Sequence, residues 1–236
     1  MISIQAPAKL TLSLSMTGRR ADGYHLIDAE MVSLDLHDTL EITEGDGLEI
    51  VGSAGTEQVA ADDDNLVRRA LRLCGRRAHV RLHKRIPAGA GLGGGSSDAA
   101  AVLRWAGYDD EQGAASIGAD VAFCLRGGRA RVRGIGELIE PLPFEPMTFT
   151  LLTPPIVCAT PAVYAEWDRM GGPVGDHGND LEPAALAVAP ELAGWRDELA
   201  DASDQRPRLA GSGSTWFVEG AFPGPGRVVT TTIAAR

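Results

Sequence analysis

A glycine-rich segment between a predicted strand and a predicted helix constrains this chain more than any other feature. Residues 87–101 read PAGAGLGGGSSDAAA, after a strand-like stretch at 78–86 and before a helix-like stretch at 98–105. Glycines let the backbone turn where few side chains intrude, and they leave its N–H groups bare. A helix that begins at 96–98 adds unpaired amides and the positive end of its dipole. The junction is therefore predicted to bind an anion, most naturally a phosphate.

Three other interpretations of this segment compete with a phosphate loop. A Gly/Ser run is often a flexible linker, but a linker has no reason to lie between an alternating strand and an Ala-rich helix with Ser or Asp at its cap. Gly89, Gly91 and Gly94 satisfy the G-x-G-x-x-G pattern, yet the preceding strand alternates with Arg81 and His83 and does not resemble a buried parallel strand. No Lys-Ser/Thr pair follows the last glycine, which excludes a P-loop.

Length and charge limit the classes of protein that the chain can belong to. Its 236 residues, 44% of them hydrophobic, suffice for one large domain or two smaller ones. No apolar run approaches the roughly 20 residues that a bilayer requires, and the N-terminus enters an alternating strand directly. The net charge of -10 disfavours nucleic acid over most of the surface. We therefore expect a cytoplasmic protein without nucleic-acid or membrane partners; the sequence predicts no oligomeric state.

Basic residues are distributed unevenly. Eight Arg or Lys and no acid lie between Arg68 and Arg85, next to the glycine segment, which fits either a solvated helix face or attraction of a polyphosphate. Lys9 and Lys84 are the only lysines among 22 basic residues, so each is a candidate for a position that needs a compact ammonium. The three cysteines match neither a disulfide framework nor a metal site, and we interpret them as reduced packing thiols.

Hydrophobic periodicity predicts an α+β chain. Leu10, Leu12 and Leu14 alternate with polar residues in a first strand, with Lys9 on the opposite side. Residues 30–51 predict antiparallel sheet broken by turns at 37–38 and 45–47, and residues 62–65 cap a helix that runs to Cys74. Asp120 begins a short helix, where a lone carboxylate often does no more than complement the dipole. Beyond the prolines at 141–146, strands are predicted at 148–152 and 228–233 and helices at 161–170 and 179–200.

Four segments together resemble the GHMP small-molecule kinases: PAKLTLSL at 7–14, the glycine segment, GADVAF at 118–123 and LAGSGSTWF at 209–217. DGYH at 22–25, DDDNLVRRA at 62–70, VCATPAVY at 157–164 and NDLEPAAL at 179–186 narrow the resemblance to the branch that acts on 4-diphosphocytidyl-2-C-methyl-D-erythritol. The glycine segment marks only the superfamily, whereas DGYH soon after PAKL is the more specific sign.

The resemblance implies an α+β fold with a ribosomal-S5-domain-2-like N-terminal domain at 1–145 and a ferredoxin-like C-terminal domain at 146–236. It also implies transfer of a phosphoryl group from ATP, with Mg²⁺, to the 2-hydroxyl of this cytidine diphosphate-linked sugar alcohol in the non-mevalonate pathway of isoprenoid synthesis. The partners would be these two small molecules. Another GHMP kinase, of the homoserine or mevalonate type, and a catalytically silent nucleotide-binding relative remain open, with a dinucleotide oxidoreductase as a distant third.

The resemblance also assigns roles to individual residues. Lys9 and Asp120 match the catalytic pair, in which the carboxylate accepts the proton of the attacking hydroxyl. Thr11, Tyr24, His25 and Tyr164 match substrate positions, with the two tyrosines beside cytosine. Ser96 or Ser97 is a candidate contact for Mg²⁺. The ATP positions are Asn65, Leu66, Lys84, Pro87, Gly89, Gly91, Leu92, Gly93, Gly94, Gly95, Ser96 and Ser97. Thr11 stands where the family commonly has Asn, and Ala122 where it has Pro.

Overall fold

A computed structural model describes residues 1–52 and 60–235. The first half of the chain forms a six-stranded sheet with four helices. The strands are β1 (Ile2–Arg19), β2 (His25–Thr43), β3 (Gly47–Gly52), β4 (His79–Lys84), β5 (Arg129–Gly134) and β6 (Leu138–Pro141). The helices are α1 (Leu66–Leu73), α2 (Gly94–Trp105), α3 (Glu111–Ile117) and α4 (Ala119–Arg126). The strand order is β3-β4-β2-β5-β6, and β1 pairs with β2 in a long antiparallel hairpin whose turn contains the DGYH motif.

The second half forms a four-stranded sheet with three helices. Its strands are β7 (Thr148–Leu152), β8 (Arg208–Leu209), β9 (Trp216–Glu219) and β10 (Arg227–Thr231), in the order β10-β7-β9-β8. Its helices are α5 (Thr160–Arg169), α6 (Glu182–Val188) and α7 (Leu192–Ser203). The α+β prediction is confirmed, and the proposed division at 145–146 falls between β6 and β7. No helix among the described residues is long and apolar enough to cross a membrane.

Two details of the predicted sheet are wrong. β2 continues through His37 and Asp38, where we expected a turn, because the Asp38 carboxylate is fully buried and accepts from Lys84 at the end of β4 and from a backbone N–H just after it. β3 pairs parallel with β4, although we expected antiparallel neighbours throughout residues 30–51. Such a pairing joins strands that are separated by a connection of many residues, so local alternation does not report it.

Irregularities in β1 decide where its side chains point. The register of β1 against β2 shifts between Pro7 and Lys9 and again between Thr11 and Ser13. A bulge changes which side of the sheet the following side chains face. Lys9 and Thr11 remain opposite Leu10 and are buried, with 5% and 2% exposure, because Gly93 and Gly211 cover that face as well; simple alternation allows an exposed lysine there. Leu10 and Leu12 pack in one hydrophobic cluster and Leu14 in the other.

The smaller cluster joins the two sheets and anchors the glycine segment. Phe149 of β7 and Phe217 of β9 meet edge to face with ring centroids 5.8 Å apart. They pack with β1 and β2 and with three residues that flank or belong to the glycine segment, namely Ile86, Ala90 and Leu92. Burial of these side chains gives each roughly 1–3 kcal/mol of stabilisation. The glycine segment therefore lies between the two sheets with its apolar residues fixed in the core.

The helix starts next to this segment agree only partly with the sequence. α1 begins as predicted, since the Asn65 side chain accepts a hydrogen bond from the Val67 N–H. α4 places Asp120 in its first turn, also as predicted. α2 begins at Gly94, earlier than the Ser96–Asp98 start that we expected, and its N-cap is Gly93 with a left-handed φ of 67° and no side-chain cap. The predicted Ser or Asp cap is therefore wrong.

Asn179 connects the segment before α6 to the turn between β8 and β9. Its buried side-chain amide donates to the carbonyls of Leu209 and Gly211, at 2.8 and 2.7 Å, and its Oδ1 accepts from the Leu181 N–H at 2.9 Å. One side chain therefore joins two segments of backbone that lie about 30 residues apart in sequence.

We expect Asn179→Asp to destabilise the protein, because an oxygen replaces the donor to both carbonyls. Each carbonyl left without a donor costs about 1–3 kcal/mol. Urea unfolding measures the loss. Gln205→Glu makes the same amide-to-acid change on an exposed side chain that donates to Glu219 O, and its loss should stay below about 1 kcal/mol. Equal losses in the two variants would show that Asn179 has no special role.

Candidate active site

A cavity of about 1070 Å³ opens between the two halves of the chain, beside the glycine segment. Its volume lies at the upper end of the range of about 300–1,000 Å³ that is usual for small-molecule sites. All predicted site residues except Leu92 and Ser97 line its wall.

Lys9 and Asp120 meet in this cavity, although they are remote in sequence. Lys9 Nζ lies 3.3 Å from Asp120 Oδ2 and donates to Thr11 Oγ1 at 3.1 Å. The lysine side chain is buried, while that of Asp120 is 31% exposed and reaches into the cavity. The site therefore presents an oriented ammonium beside an accessible carboxylate, an arrangement suited to binding a hydroxyl next to a transferring anionic group.

Backbone amides at the start of α2 face the same space. Ser97 is the first N–H of α2 with an intrahelical acceptor, Gly93 O at 2.9 Å, so the amides of Gly94, Gly95 and Ser96 precede the helical ladder. These three residues line the cavity. Free amides and the positive end of a helix dipole favour a phosphate. The amides expected from the glycine segment are present, with the helix start moved toward the N-terminus, and anion binding by them stays a prediction.

Two glycine turns approach each other around the Lys9 side chain. The backbone of Thr215 donates to Ala90 O at 3.2 Å and so joins the turn at 210–215 to the glycine segment. A Cβ on Gly91 would overlap the carbonyl oxygen of Ala210, and a Cβ on Gly93 would lie 2.6 Å from Lys9 Cγ. A Cβ on Gly211 would lie 3.5 Å from Lys9 Nζ. The glycine segment therefore needs glycine at 91 and 93 for lack of space, whereas the second turn favours glycine at 211 for its left-handed φ of +58°. The two turns lie on either side of the Lys9 side chain.

Lys84 belongs to a buried cluster of three charged side chains next to the glycine segment. Its Nζ lies 2.5 Å from Asp38 Oδ2 and 2.8 Å from Asp98 Oδ2. The other Asp38 oxygen accepts from the N–H groups of Arg85 and Ile86, at 2.5 and 2.8 Å. The ammonium is directed at two carboxylates, and the cluster fixes the chain that leads into the glycine segment. Sequence analysis singled out Lys84 but neither of its partners.

One ammonium cannot neutralise two buried carboxylates. Burial and the Asp38 charge raise the pKa of Asp98 to about 7, although Lys84 acts in the opposite direction. The pKa of Lys84 is raised as well, because the two carboxylates outweigh the desolvation of its ammonium. Asp98 Oδ1 has no hydrogen-bond partner in the described part of the chain. Asp98 is therefore the member of the cluster that takes up a proton near neutral pH.

The far end of the cavity carries aromatic and imidazole groups. Tyr24, in the turn after β1, is 61% exposed, whereas Tyr164 of α5 is partly buried. His25 and Tyr164 lie with ring centroids 5.0 Å apart. Burial and the nearby Asp120 charge raise the pKa of Tyr164 to about 12, so its phenol stays neutral. These flat groups suit a planar heterocycle.

Several expectations about site residues need correction. Ser97 is buried, its hydroxyl donates to Pro7 O and its N–H is used within α2, so it faces neither a phosphate nor a metal. The Leu92 side chain is buried in the core, and its carbonyl accepts from the Lys9 N–H. Among the described basic residues of 68–85, Lys84 alone lines the cavity. Arg72, Arg77 and Arg81 instead pair with surface acids.

Sequence analysis missed some of the cavity wall. Thr160 and Ser212 share a hydrogen bond of 2.9 Å at this wall, and Gly211 and Gly213 belong to the second glycine turn. The motifs that contain them, VCATPAVY and LAGSGSTWF, were the available signal. Their placement opposite the first glycine turn depends on the contact between the two sheets, which no local pattern reports.

We expect Gly91→Ala to abolish ATP binding and to destabilise the protein, because the new Cβ has no room against the Ala210 carbonyl. Gly107→Ala is a matched control: Gly107 has φ +73°, close to the +76° of Gly91, but open space where its Cβ would lie. In the control, only the left-handed conformation of the alanine lowers the free energy of unfolding, by about 1–2 kcal/mol. Urea unfolding and calorimetric titration with ATP separate the two effects. Unchanged ATP binding in Gly91→Ala would contradict the close approach.

Asp98→Asn tests the protonation of the buried cluster. The raised pKa means that the folded wild type keeps the Asp98 proton up to about pH 7, whereas the unfolded chain releases it near 3.8. The free energy of unfolding therefore falls through this group as the pH rises from about 4 to about 7. The amide cannot ionise, so the variant lacks this loss. The free energy of unfolding of Asp98→Asn minus that of wild type should therefore rise from about pH 4 to about pH 7 and stay constant above pH 7.

Urea unfolding at pH 5, 6, 7 and 8 measures this difference. Asp197→Asn makes the same chemical change on an exposed side chain of α7 and controls for the loss of one carboxylate. A stability difference between wild type and Asp98→Asn that does not change with pH would show that Asp98 remains ionised in the folded protein.

Comparison with known proteins agrees with this site. Residues 65–128 match the model of the GHMP kinases N terminal domain. A 4-diphosphocytidyl-2-C-methyl-D-erythritol kinase of Paracoccus denitrificans is 40% identical over 90% of this chain and 84% of its own length. A crystal structure of 4-(cytidine 5'-diphospho)-2C-methyl-D-erythritol kinase is 32% identical, has a TM-score of 0.74 and covers 98% of both chains.

The homoserine kinase of Cytophaga hutchinsonii aligns with a TM-score of 0.56, 17% identity and coverage of 99% of this chain and 95% of its own, which shows a shared fold alone. The GHMP kinase fold expected from the sequence is confirmed. The chain belongs to the 4-diphosphocytidyl-2-C-methyl-D-erythritol kinase family of the GHMP kinases.

Proposed function

We propose that this chain transfers the γ-phosphoryl group of ATP to the 2-hydroxyl of 4-diphosphocytidyl-2-C-methyl-D-erythritol, a step of the non-mevalonate pathway of isoprenoid synthesis. The pairing of Lys9 with Asp120 at 3.3 Å, beside the free amides of α2, carries this proposal. Phosphoryl transfer needs little covalent chemistry from a protein, so positioning and neutralisation of charge account for most of the rate. Family membership makes ATP the phosphoryl donor.

Asp120 is proposed to accept the proton of the attacking hydroxyl. Its accessible carboxylate can reach a substrate in the cavity, and a positioned base contributes about 10²–10⁴-fold to the rate. Lys9 keeps this carboxylate oriented and offsets charge on the transferring group. Thr11 accepts a hydrogen bond from the ammonium and helps to orient it. This is the proposed role of the Thr11 hydroxyl at a position where the family commonly has Asn.

The glycine segment is proposed to hold the phosphates of ATP through the amides of Gly94, Gly95 and Ser96. Asn65 and Leu66, on the wall of the same cavity, would lie beside the adenine. Lys84 is buried and paired with two carboxylates. Its proposed part in ATP binding is therefore indirect: it fixes the position of the glycine segment. Gly89, Gly91 and Pro87 complete this wall.

The cavity also fits a magnesium ion carried by the nucleotide. Mg²⁺ prefers oxygen ligands, keeps several waters and is often bound through one or two protein groups together with substrate phosphates. The described residues contain no group of three or more His, Cys, Asp or Glu suited to a metal, so they offer no dedicated protein cage. The Ser96 hydroxyl and the Asp120 carboxylate are the oxygens that would hold the ion, which would supply charge neutralisation on the phosphates.

The cytidyl group is proposed to occupy the aromatic end of the cavity. Tyr24 and Tyr164 would lie against cytosine, and stacking of a base on an aromatic side chain is worth roughly 1–3 kcal/mol. His25 would bind the base edge through its ring. We further propose that the chain is divided into domains at 1–145 and 146–236, with the substrates bound between them.

Incubation with ATP, Mg²⁺ and the cytidyl substrate, followed by mass spectrometry, tests the proposed reaction. We expect one added phosphoryl group in the wild-type product, and we expect Asp120→Asn to lower kcat by about 10²–10⁴-fold while ATP still binds. Asp109→Asn makes the same change outside the cavity wall and should leave turnover unchanged. Near-normal turnover in Asp120→Asn would remove this carboxylate from the chemistry. ATP binding without product from wild type would favour a catalytically silent relative.

A further inference from the structure

Three side chains of one helix contact the imidazole of His25. His25 is the first residue of β2, and its Nε2 lies 2.8 Å from Asp168 Oδ1 of α5. Tyr164 lies one turn earlier on α5, with ring centroids 5.0 Å apart, and Trp167 meets the imidazole edge to face at 5.7 Å and 87°. Positions 164, 167 and 168 lie on one face of the helix. Contacts from these three residues fix both the place and the plane of the ring.

Asp168 determines which ring nitrogen of His25 carries the proton. An ionised carboxylate only accepts hydrogen bonds, so the nitrogen that faces it must be the N–H. A neutral imidazole with its proton on Nε2 leaves a lone pair on Nδ1. Nδ1 has no hydrogen-bond partner among residues 1–52 and 60–235. Arg19 Nη1 lies 3.5 Å from the second oxygen of Asp168 and offsets part of the carboxylate charge.

We propose that Asp168 is a positioning residue that makes Nδ1 of His25 a hydrogen-bond acceptor and thereby selects cytosine over uracil in the acceptor substrate. This inference rests on the proposed function, in which His25 binds the base edge. Cytosine carries an amino group, a donor, where uracil carries a carbonyl oxygen, an acceptor. The amino group can donate a hydrogen bond to Nδ1. The carbonyl oxygen of uracil is an acceptor, so it cannot form this bond, and its lone pairs repel that of Nδ1. A site built around a hydrogen bond discriminates strongly against a ligand that cannot form it.

The helix α5 therefore combines two tasks. Tyr164 provides a flat apolar surface that accepts any base, since every base has a π face. Asp168, one turn further along the same helix, adds discrimination through the tautomer of His25. The Trp167 Nε1 donates to Pro173 O at 2.9 Å, which fixes the indole that holds the other side of the imidazole. Stacking and edge recognition are thus supported by one rigid element.

The test compares kcat/KM for the cytidyl substrate with that for its uridyl analogue. Wild type should strongly prefer the cytidyl compound. Asp168→Asn can both donate and accept, so it no longer fixes the tautomer, and the preference should fall by about tenfold, the effect of one hydrogen bond. The KM for ATP should not change. Glu166→Gln makes the same acid-to-amide change on α5, where Glu166 pairs with exposed Arg169, and should keep the preference.

Nitrogen NMR of the histidine ring gives a second readout that does not depend on turnover. In the wild-type protein at pH 8, Nε2 of His25 should carry the proton and Nδ1 should show the shift of an unprotonated nitrogen. Asp168→Asn should show a mixture of the two tautomers. A purely structural role of Asp168 would not change this ratio, and thermal unfolding of both variants controls for misfolding.

The outcomes separate this inference from the proposed function. A lower cytosine preference in Asp168→Asn with an unchanged one in Glu166→Gln supports it. Phosphorylation of the cytidyl substrate with the same preference in wild type and Asp168→Asn overturns it and leaves the proposed function intact. A proton on Nδ1 of wild-type His25 overturns it as well. Phosphorylation of neither compound by wild type overturns both.

Discussion

The closeness of two glycine turns is the constraint on which the site depends. The glycine segment and the turn at 210–215 touch through backbone atoms, and the Lys9 side chain passes between them. A side chain at Gly91 would separate the turns, and one at Gly93 would displace the lysine stem. Because the two turns belong to the two halves of the chain, their contact adds to the hydrophobic cluster that joins the sheets, and it places the Lys9 ammonium on the cavity wall beside Asp120.

The buried cluster of Lys84, Asp38 and Asp98 has a different purpose from the Lys9–Asp120 pair. Both contain an ammonium and a carboxylate, but only Asp120 is exposed to the cavity to a degree that admits substrate. A buried ion pair contributes little net stability, since the cost of desolvation offsets the attraction. Its value lies in geometry: Asp38 binds two backbone amides of the chain that leads into the glycine segment. The cluster thus fixes the chain that enters the glycine segment, while the Lys9 side chain contacts the segment at Gly93.

Sequence reasoning found the features that depend on local patterns. The Asn65 cap, the position of Asp120 in the first turn of α4 and the turn chemistry of the glycine segment follow from residue types at short spacing. It failed where tertiary contacts decide: Asp38 continues a strand because its carboxylate has buried partners. Lys9 is buried because the two glycine turns cover its face of β1. The meeting of Lys9 with Asp120 was expected from the family resemblance alone.

The division of labour between the two halves suggests how one fold serves different acceptors. Lys9, Asp120 and the free amides of α2, which we propose to act on the phosphoryl group, all belong to the first half. Tyr164, Trp167 and Asp168, which hold His25, belong to α5 in the second. A change in α5 can therefore alter which acceptor fits without disturbing phosphoryl transfer.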